Sequence, residues 1–516
     1  MRRNQKEKVS SPLPSYRKAA ALLLLLLLGS AAVAHAAGCC GKTRKAQYAE
    51  RQMSEATQPR QAQLPMMRQS QPSTKKGAGA AFCDAIVDAS AAQDDTTARP
   101  ALYRTVQKAV DAAHGTADKS YRIFVKAGTY NELVRITKPY VSIMGQDKCN
   151  TIITNGMSIR SGGVDKASTV YVTGHDVTLD NITMQNTLQR QGQALALYTK
   201  SDRVSLTNCN ILGWQDTYRT GTSGQRHIVR NCKISGKTDY IYNSGDVYFD
   251  ADTLEVLDSK NVITAGAHQK PKWGYVFSHA VITSPLPQAS TQLGRPWKNN
   301  PKVIFLHTRL APNVSIDKAG WRDMGALPTQ LAEYDTRDAE GREVDLNERK
   351  TTFIAQGDTG TNVPVIDSRE AAAYQLDSVL RGSDGWNADS VAFILPTPLM
   401  ACKGSRVLWH DPTGLAACFL VSVDGKAWLT SATATRRKPG QTVSVRLVSK
   451  SFVAGDAAVC KGKDAGHAHA HVSRKVLSRT FADADGRPAE GLQHGLNTIT
   501  EWLAGGIMRT HTVLVR

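Results

Sequence analysis

The sequence predicts an all-β fold, a right-handed parallel β-helix, and two kinds of observation support that prediction. The first is an interval of 23 residues, which separates Gln193 from Asp216, Asp216 from Asp239, Cys209 from Cys232, and Ile211 from Ile234. One coil of a parallel β-helix takes about 20 to 25 residues, and successive coils stack about 4.8 Å apart. Residues 23 apart would therefore lie one above another, with the cysteines and isoleucines facing inward.

The second observation is a series of short strand-like segments that end in turn residues. The segments are residues 168–173, 202–207 and 225–230, each rich in β-branched side chains. Asn181, Asn208 and Asn231 come after such segments. Because asparagine tolerates the left-handed backbone of a coil corner, we expect these residues to lie at corners and to hydrogen-bond their stacked neighbours.

Composition divides the 516 residues into four segments. We predict a signal peptide over 1–36, a basic flexible linker over 37–80, the β-helix over 81–387 and a further domain over 388–516. Residues 1–80 carry 14 Lys and Arg against 3 Asp and Glu, residues 81–400 carry 34 against 34, and residues 401–516 carry 16 against 8. The net charge of +19 therefore lies in the two ends of the chain.

The N-terminal segment is typical of a secretory signal. Six cationic residues precede an apolar run from Ala19 to Ala34, which is too short for a comfortable membrane span. Ala34-His35-Ala36 offers a cleavage site, so we expect a secreted, extracellular protein. The alternative is a lipobox that ends at Cys39, which would make the protein an outer-membrane lipoprotein and would be its one attachment to a membrane.

The nine cysteines are compatible with disulfides in a secreted protein. The coil interval would stack Cys209 on Cys232, either as a disulfide or as two free thiols. Cys402, Cys418 and Cys460 belong to the C-terminal domain and would contribute one further bridge.

The C-terminal domain is predicted to be β-rich or mixed. Strand-like runs occupy residues 405–409, 417–422 and 443–448, and a helix is expected around 496–503. The role of this domain is open. The net charge of +8 over residues 401–516 suggests the hypothesis that it binds carbohydrate or the cell wall.

The polar series of Gln193, Asp216 and Asp239 has the groups that acyl transfer needs. An amide can donate to an oxyanion, one carboxyl can act as an acid, and the other carboxylate can act as a nucleophile. Two carboxylates on adjacent coils raise each other's pKa, so one can stay protonated while the other is charged. Taken alone, the two aspartates could equally be turn residues. No His or carboxylate cluster accompanies the series, so we expect no metal and no cofactor.

Five motifs, in the family order, resemble those of the pectin methylesterases, a family of carbohydrate esterases with a right-handed parallel β-helix. They are Lys126-Ala-Gly-Thr-Tyr-Asn-Glu132, Gln193-Ala-Leu-Ala-Leu197, Gly213-Trp-Gln-Asp-Thr217, Asp239-Tyr-Ile-Tyr242 and Leu293-Gly-Arg-Pro-Trp297. Residues 102–113 also resemble the first amphipathic helix of that family. The resemblance covers about residues 81–387.

The resemblance implies a catalytic role for each residue of the series. Asp239 would be the nucleophile that attacks the methyl ester of a galacturonate unit, and Asp216 would protonate the departing methanol. Gln193 and Gln215 would donate hydrogen bonds to the oxyanion. Arg295 would hold Asp239 ionised through a charge-assisted bond.

The resemblance also implies a set of substrate-binding residues. Trp297 would stack on a sugar face, and Thr217 and Tyr242 would complete the set. Two departures from the family pattern lie nearby. Asn243 follows Tyr242 where the family usually has glycine, and Arg219 places a cation near the cleft.

The function that the resemblance implies is that of a secreted pectinesterase, a carboxylic ester hydrolase. Its partners would be methylated homogalacturonan and the cell wall, with no nucleic acid, and we expect a monomer. Two alternatives stay open. One is an acyl-CoA thioesterase-like lipoprotein of the same fold, which a lipobox at Cys39 would favour. The other is a non-catalytic pectin-binding protein.

Overall fold

The structure is a computed structural model that describes residues 81–188, 192–269, 271–462, 476–482, 488–489, 495–503 and 507–515. The predicted signal peptide, the linker and Cys39 lie outside the described residues. Most of the described chain forms three long parallel sheets, which we call sheets A, B and C. The chain visits A, B and C in turn and then begins the next coil, so the predicted parallel β-helix is confirmed.

The strand bounds show how regularly the coils stack. Sheet A contains, in sheet order, Ala101–Tyr103, Ala85–Val87, Tyr121–Val125, Val141–Gly145, Val177–Asp180, Val204–Thr207, Arg226–Arg230, Asp246–Asp250, Tyr275–Ser278, Lys302–Leu306 and Gln330–Tyr334. Sheet B contains Gly128–Asn131, Thr151–Asn155, Thr183–Asn186, Asn210–Leu212, Lys233–Gly236, Thr253–Val256, Val281–Thr283 and Arg309–Leu310. Sheet C contains Val134–Ile136, Val170–Val172, Leu197–Thr199, Tyr218–Arg219, Ile241–Asn243, Asn261–Gly266, Ala289–Pro296 and Val314–Ile316.

The register agrees with the 23-residue interval in the central coils and departs from it elsewhere. Ile211 pairs with Ile234 across sheet B, and both are fully buried. Cys209 and Cys232 are also buried, as free thiols, with the Cys209 backbone N–H donating to the Cys232 Sγ at 3.3 Å. The disulfide alternative for this pair is therefore wrong and the stacked-thiol alternative is confirmed. In sheet A, the strand Arg226–Arg230 pairs with Asp246–Asp250 at an interval of 20, because the coil that joins these two strands is shorter.

Side chains of one type stack on one another in the interior of the helix. Phe277 packs face to face between Phe249 and Phe305, with ring centroids 4.2 Å apart in both pairs. These three residues pair directly across neighbouring strands of sheet A. Stacked identical side chains bury apolar area without leaving gaps between coils, which is how a solenoid obtains a continuous core.

The asparagine corners were predicted correctly. Asn181, Asn208 and Asn231 all have left-handed backbones, with φ of 54° to 55°. The Asn231 amide donates to Asn208 Oδ1 at 2.7 Å, and the Asn208 amide donates to Asp180 Oδ1 at 2.9 Å. Each corner is thus hydrogen-bonded to the coil before it, which stabilises the stacking at positions where most residues would be strained.

Helices are short and few among the described residues. Val106–Asp111 lies in the first coil, in the segment where an amphipathic helix was expected, and is capped by Thr105. The others are Ile159–Ala167, Ser368–Ala371, Leu376–Leu380 and Ala388–Val391. No described helix has the length and apolar character to cross a membrane.

The chain beyond the last coil folds back on the outer face of sheet A. Val379, Leu380 and Trp386 pack against Ile228 and Tyr248 of that sheet. A short hairpin, Thr352–Ala355 with Asp358–Thr361, precedes this segment. The result is that the central strands of sheet A are covered on both faces.

The C-terminal domain is built from antiparallel sheets. Sheet D has three strands, Leu399–Lys403, Arg406–His410 and Ala434–Arg436. Sheet E has four, Lys426–Thr430, Cys418–Val423, Gly440–Val448 and Ala458–Gly462. A last sheet contains Pro488–Ala489, Val476–Ala482, Gly495–Leu503 and Ile507–Val515. The helix expected around 496–503 is therefore wrong, because this segment pairs on both sides as a strand.

Sheets D and E pack face to face, and sheet E also packs on the β-helix. Cys402 and Cys460 form a disulfide, as expected of one pair in this domain, while Cys418 is a buried free thiol. On its other face, sheet E places Leu420 and Val448 against Phe124 and Met144 of sheet A. The C-terminal domain thus shares a core with the first coils.

Asn208 offers a test of the corner hydrogen bonds. Asn208→Ala should lower the free energy of unfolding by about 2 to 4 kcal/mol, since a left-handed alanine is strained and two buried bonds are lost. Asn208→Gly keeps the backbone freedom and loses only the side-chain bonds, so it should cost less. Denaturant titrations of both variants measure the two costs. Equal stability of Asn208→Ala and the parent would contradict the role of this corner.

Candidate active site

The candidate site lies on the outer face of sheet C, in its central coils. Asp216 lies two residues before the strand Tyr218–Arg219, and Asp239 lies two residues before the next strand of the sheet, Ile241–Asn243. Both aspartates have left-handed backbones, with φ of 62° and 50°, and both residues are buried, at 5% and 6% exposure. A left-handed turn at each of two successive coils brings the two carboxyl groups into the same groove.

Asp239 is held by a bidentate ion pair. Arg295 donates from Nε to Oδ1 at 2.9 Å and from Nη2 to Oδ2 at 2.5 Å. Arg295 reaches this position from the strand Ala289–Pro296, two coils beyond that of Asp239, and Gly294 lets this strand approach the intervening strand Asn261–Gly266 closely. A Cβ on Gly294 would lie 2.0 Å from Thr264 Oγ1. The glycine of this motif is thus required by the close approach of two coils.

Asp216 has a different environment. The Gln193 Nε2 amide donates to Asp216 Oδ2 at 2.7 Å, and no cation is bonded to this carboxyl among the described residues. Gln193 does not stack directly on Asp216, because its backbone bridges to Gln215, which in turn bridges to Thr238. The coil from Gln193 to Gln215 is one residue shorter than the predicted interval, so Gln193 lies beside Gln215. Its side chain reaches from there to the carboxyl group of Asp216.

The two carboxyl groups therefore differ in their electrostatics. Burial raises the pKa of Asp216, and the nearby charge of Asp239 raises it further, to about 7. Burial also raises the pKa of Asp239, but the Arg295 guanidinium acts against this effect by hydrogen bonding and by its charge. The arrangement stabilises a protonated Asp216 beside an ionised Asp239 near neutral pH.

A row of cationic and aromatic side chains runs along the floor of the groove. The register of sheet C places Tyr171, Tyr198, Arg219, Tyr242 and Ala265 opposite one another in successive coils, and Arg295 follows Ala265. The Arg219 guanidinium lies over the Tyr198 ring at 5.0 Å and over the Tyr242 ring at 5.5 Å. We call this series the floor row.

Sequence reasoning found only part of the floor row. Tyr242 and the cation at Arg219 were singled out, but Tyr171 and Tyr198, whose rings stack 4.9 Å apart, were missed. The available signal was the coil register, because Tyr198 follows the Gln193 motif directly and pairs with Arg219. Coil lengths in this sheet vary, so the partner could not be counted from a fixed interval.

The structure places the expected substrate-binding residues in different environments. Trp297 is partly exposed at the edge of the groove, and its ring meets the Tyr242 ring edge to face at 5.8 Å. Tyr242 is 4% exposed. Thr217 is fully buried, and its hydroxyl donates to the Ser235 carbonyl inside the coil. The position of Thr217 thus argues against a substrate contact, since its side chain fills the space beside Gly213 and Gly236.

Asn243 occupies the position where the resemblance leads us to expect glycine. Its φ is 96°, a conformation that glycine adopts freely. The Asn243 amide compensates by donating to the carbonyls of Thr220, at 3.1 Å, and Gly221, at 2.6 Å. The loop beside Asp239 therefore keeps a left-handed turn with asparagine in place of glycine.

Comparison with known proteins gives the family. The profile of the pectinesterase family matches residues 88–351, which is more than half of the chain. The chain belongs to the pectinesterase family. Members of this family are carboxylic ester hydrolases. All the residues of the groove described above lie within the matched region.

Individual relatives agree with the family profile. The putative pectinesterase 14 of Arabidopsis thaliana is 31% identical over 246 residues, which are 45% of this chain and 72% of the relative. A probable pectinesterase/pectinesterase inhibitor of the same plant is 31% identical over 42% of this chain and 40% of its own length. A pectinesterase of Petunia integrifolia is 29% identical over 46% of this chain and 67% of its own length. The chain thus spans between two fifths and about seven tenths of these relatives.

Solved structures are also similar to this chain. The pectin methylesterase from carrot is 25% identical, with a TM-score of 0.48, and the match covers 58% of this chain and 93% of that one. The pectin methylesterase from Aspergillus niger is 23% identical, with a TM-score of 0.48, over 62% of this chain and 99% of that one.

The coupling between the two carboxyl groups can be tested by titration. Arg295→Gln should raise the pKa of Asp239, because burial is then unopposed by the guanidinium. With Asp239 neutral, Asp216 loses a negative neighbour, and this effect is larger than the direct effect of the Arg295 charge, which lowers the pKa of Asp216. The pKa of Asp216 should therefore fall below about 7 in this variant. Carbon NMR of labelled aspartate side chains against pH measures both values. Arg295→Lys, which keeps the charge without the bidentate geometry, is the matched control and should shift both values less.

A result in which neither pKa moves in Arg295→Gln would contradict the coupling. A rise of both pKa values would also contradict it, because it would show that the direct effect of the Arg295 charge on Asp216 is larger than the effect of the Asp239 charge.

Proposed function

We propose that this protein is a pectin methylesterase that hydrolyses the methyl esters of homogalacturonan through Asp239. The observation that carries the proposal is the pair of unlike carboxyl groups, one fixed by Arg295 and the other bonded to an amide, in a groove of a pectinesterase-family chain. Methanol and a de-esterified polymer would be the products.

The first half of the reaction requires a nucleophile and an acid. The ionised Asp239 carboxylate attacks the ester carbonyl carbon and forms an acyl-enzyme through a tetrahedral oxyanion. Gln193 and Gln215 would donate hydrogen bonds to that oxyanion, a contact worth about 3 to 4 kcal/mol in other hydrolases. Protonated Asp216 gives its proton to the methoxy oxygen, so methanol leaves as the C–O bond breaks.

The second half uses the same groups in reverse. The Asp216 carboxylate, now without its proton, accepts one from a water molecule, and the water oxygen attacks the acyl carbon. The bond to Asp239 then breaks, which releases the free galacturonate carboxyl and restores both aspartates. Arg295 keeps Asp239 oriented throughout and stabilises it as a leaving group.

Trp297 supports a polymeric carbohydrate substrate. Aromatic rings provide flat apolar surfaces on which sugar rings pack, and Trp297 is partly exposed, whereas Tyr198 and Tyr242 of the floor row are buried. Arg219 adds a positive charge near Asp216 and would meet a free carboxylate on a neighbouring sugar unit.

We also propose a secreted, extracellular location at the cell wall. The apolar leader over residues 19–34 supports this proposal. The Cys402–Cys460 disulfide supports it independently, because such bonds persist in oxidising compartments.

The nucleophile can be tested directly by methanol release from highly methylated pectin. The parent should release methanol, and Asp239→Asn should lose at least about a thousandfold in kcat, since its amide cannot form the acyl-enzyme. A short-chain acyl-CoA is the substrate that identifies a thioesterase. Absence of methanol from well-folded parent would refute the proposal, and turnover by Asp239→Asn would refute the nucleophile.

The pH dependence follows from the two carboxyl groups. Activity requires ionised Asp239 and protonated Asp216, so it should fall as the pH rises through about 7, where Asp216 loses its proton. The charge of Arg219 lowers the pKa of Asp216. Arg219→Gln should therefore raise that pKa and move the alkaline limb of the kcat profile to higher pH. Arg219→Lys, with the charge retained, should move it less, and an opposite shift would contradict the assignment.

A further inference from the structure

The outer face of sheet D has a row of three cations in direct register. Arg406, on the central strand, pairs with Lys403 on one side and with Arg436 on the other. All three side chains are exposed. The alternate residues Val407 and Thr435 point the opposite way, toward the core shared with sheet E. We call Lys403, Arg406 and Arg436 the cation row.

Like charges placed directly opposite one another destabilise a sheet. None of the three side chains makes an ion pair or a side-chain hydrogen bond with a described residue. Cations of the β-helix are treated differently, because Lys233 meets Glu255 on the next coil at 2.7 Å and Arg230 meets Asp250 at 2.7 Å. The cation row is thus an unbalanced charge arrangement, unlike these two cross-coil ion pairs.

Protection of exposed sheet edges accounts for only part of the row. Lysine and arginine on edge strands prevent unwanted pairing, and the strands of Lys403 and Arg436 are edges of sheet D. Arg406 lies on the central strand, which has no free edge. The position of Arg406 between two other cations therefore indicates an anionic partner outside the chain.

The surface beside the row indicates what shape that partner has. Ala401, Leu408 and Ala434 form the next row of the same face, so small apolar side chains border the three cations. Neighbouring strands lie about 4.8 Å apart, a spacing comparable to the length of one sugar unit in a linear chain. A linear polymer with an anionic group on each sugar unit fits a flat apolar strip with cations at strand spacing.

The charge of the whole domain agrees with such a partner. Residues 399–461 contain nine Lys and Arg against three Asp and no Glu. We propose that the outer face of sheet D binds de-esterified stretches of polygalacturonate through Lys403, Arg406 and Arg436. The choice of this polyanion rests on the proposed function, because each hydrolysed methyl ester leaves a free carboxylate. The site would hold the enzyme on polymer that it has already converted.

The test compares two triple variants of the full chain. One replaces the row, as Lys403→Gln, Arg406→Gln and Arg436→Gln. The other replaces three exposed cations elsewhere in the domain, as Lys426→Gln, Lys438→Gln and Lys450→Gln, and so changes the net charge equally. Both are made in the Asp239→Asn background for binding measurements. Affinity electrophoresis in gels with polygalacturonate, or with its fully methylated form, measures the dissociation constants.

The row variant should bind polygalacturonate at least about tenfold more weakly, while the control variant should change by less than about threefold. Methylated polymer should bind weakly to every form. Equal losses in the two variants, or full binding by the row variant, would overturn the proposal. Equally tight binding of dextran sulfate or duplex DNA would overturn the assignment to pectin.

The outcome is independent of catalysis. With Asp239 restored, both triple variants should release methanol from a short methylated oligogalacturonate at the parent rate, because neither touches the groove. A protein that binds polygalacturonate through the row but releases no methanol would refute the proposed function alone. Methanol release without any effect of the row variant on binding would refute the surface alone.

Discussion

The stacking of one coil on the next is the constraint on which the rest of this structure depends. A parallel ladder fixes neighbouring strands about 4.8 Å apart, so each side chain has a defined neighbour above and below. That rule produces the phenylalanine stack inside, the asparagine chain at the corner and the floor row outside. The interior favours identical neighbours, because they pack without gaps. On the outside the same proximity brings unlike groups together and makes their interactions strong.

The unequal aspartates follow from that proximity. Two buried carboxyl groups on adjacent coils cannot both be ionised at low cost, so any difference between their surroundings decides which one keeps a proton. Here the difference is made by one arginine from a third coil and one amide from a coil on the other side. The proposed chemistry therefore requires five successive coils in correct register, although the two aspartates occupy only two of them.

The fold and the reacting groups could be predicted from the sequence because both are expressed in spacing and motifs. Ile211 and Ile234 showed the register, and Asp216, Asp239 and Arg295 lay in recognisable motifs. Tyr198 could not be placed, because the interval to its partner depends on corner lengths that differ from coil to coil. Thr217 was included in the substrate-binding set through the resemblance alone, but its side chain is fully buried and bonded to the Ser235 carbonyl.

The C-terminal domain was the least predictable part. Residues 496–503 were expected to form a helix, although Thr498, Ile499, Thr500 and Trp502 all favour strands. The partner strands Val476–Ala482 and Ile507–Val515 lie close in the sequence, so the signal for a strand was local and was missed. The contact between sheet E and the first coils could not be predicted, because no local pattern in either segment specifies the other.

That contact makes one corner of the β-helix depend on the end of the chain. The Asp180 carboxyl is fully buried and accepts a hydrogen bond from the Ala454 backbone N–H at 2.9 Å, while the Asn208 amide donates to the Ala454 carbonyl. During synthesis, residues 180 and 208 leave the ribosome well before residue 454 exists. The growing chain can stack its coils in that interval, but it must leave this corner hydrated and the apolar side chains of Phe124 and Met144 uncovered. This apolar surface of the solenoid therefore stays exposed to water until the last domain is made and packs on it.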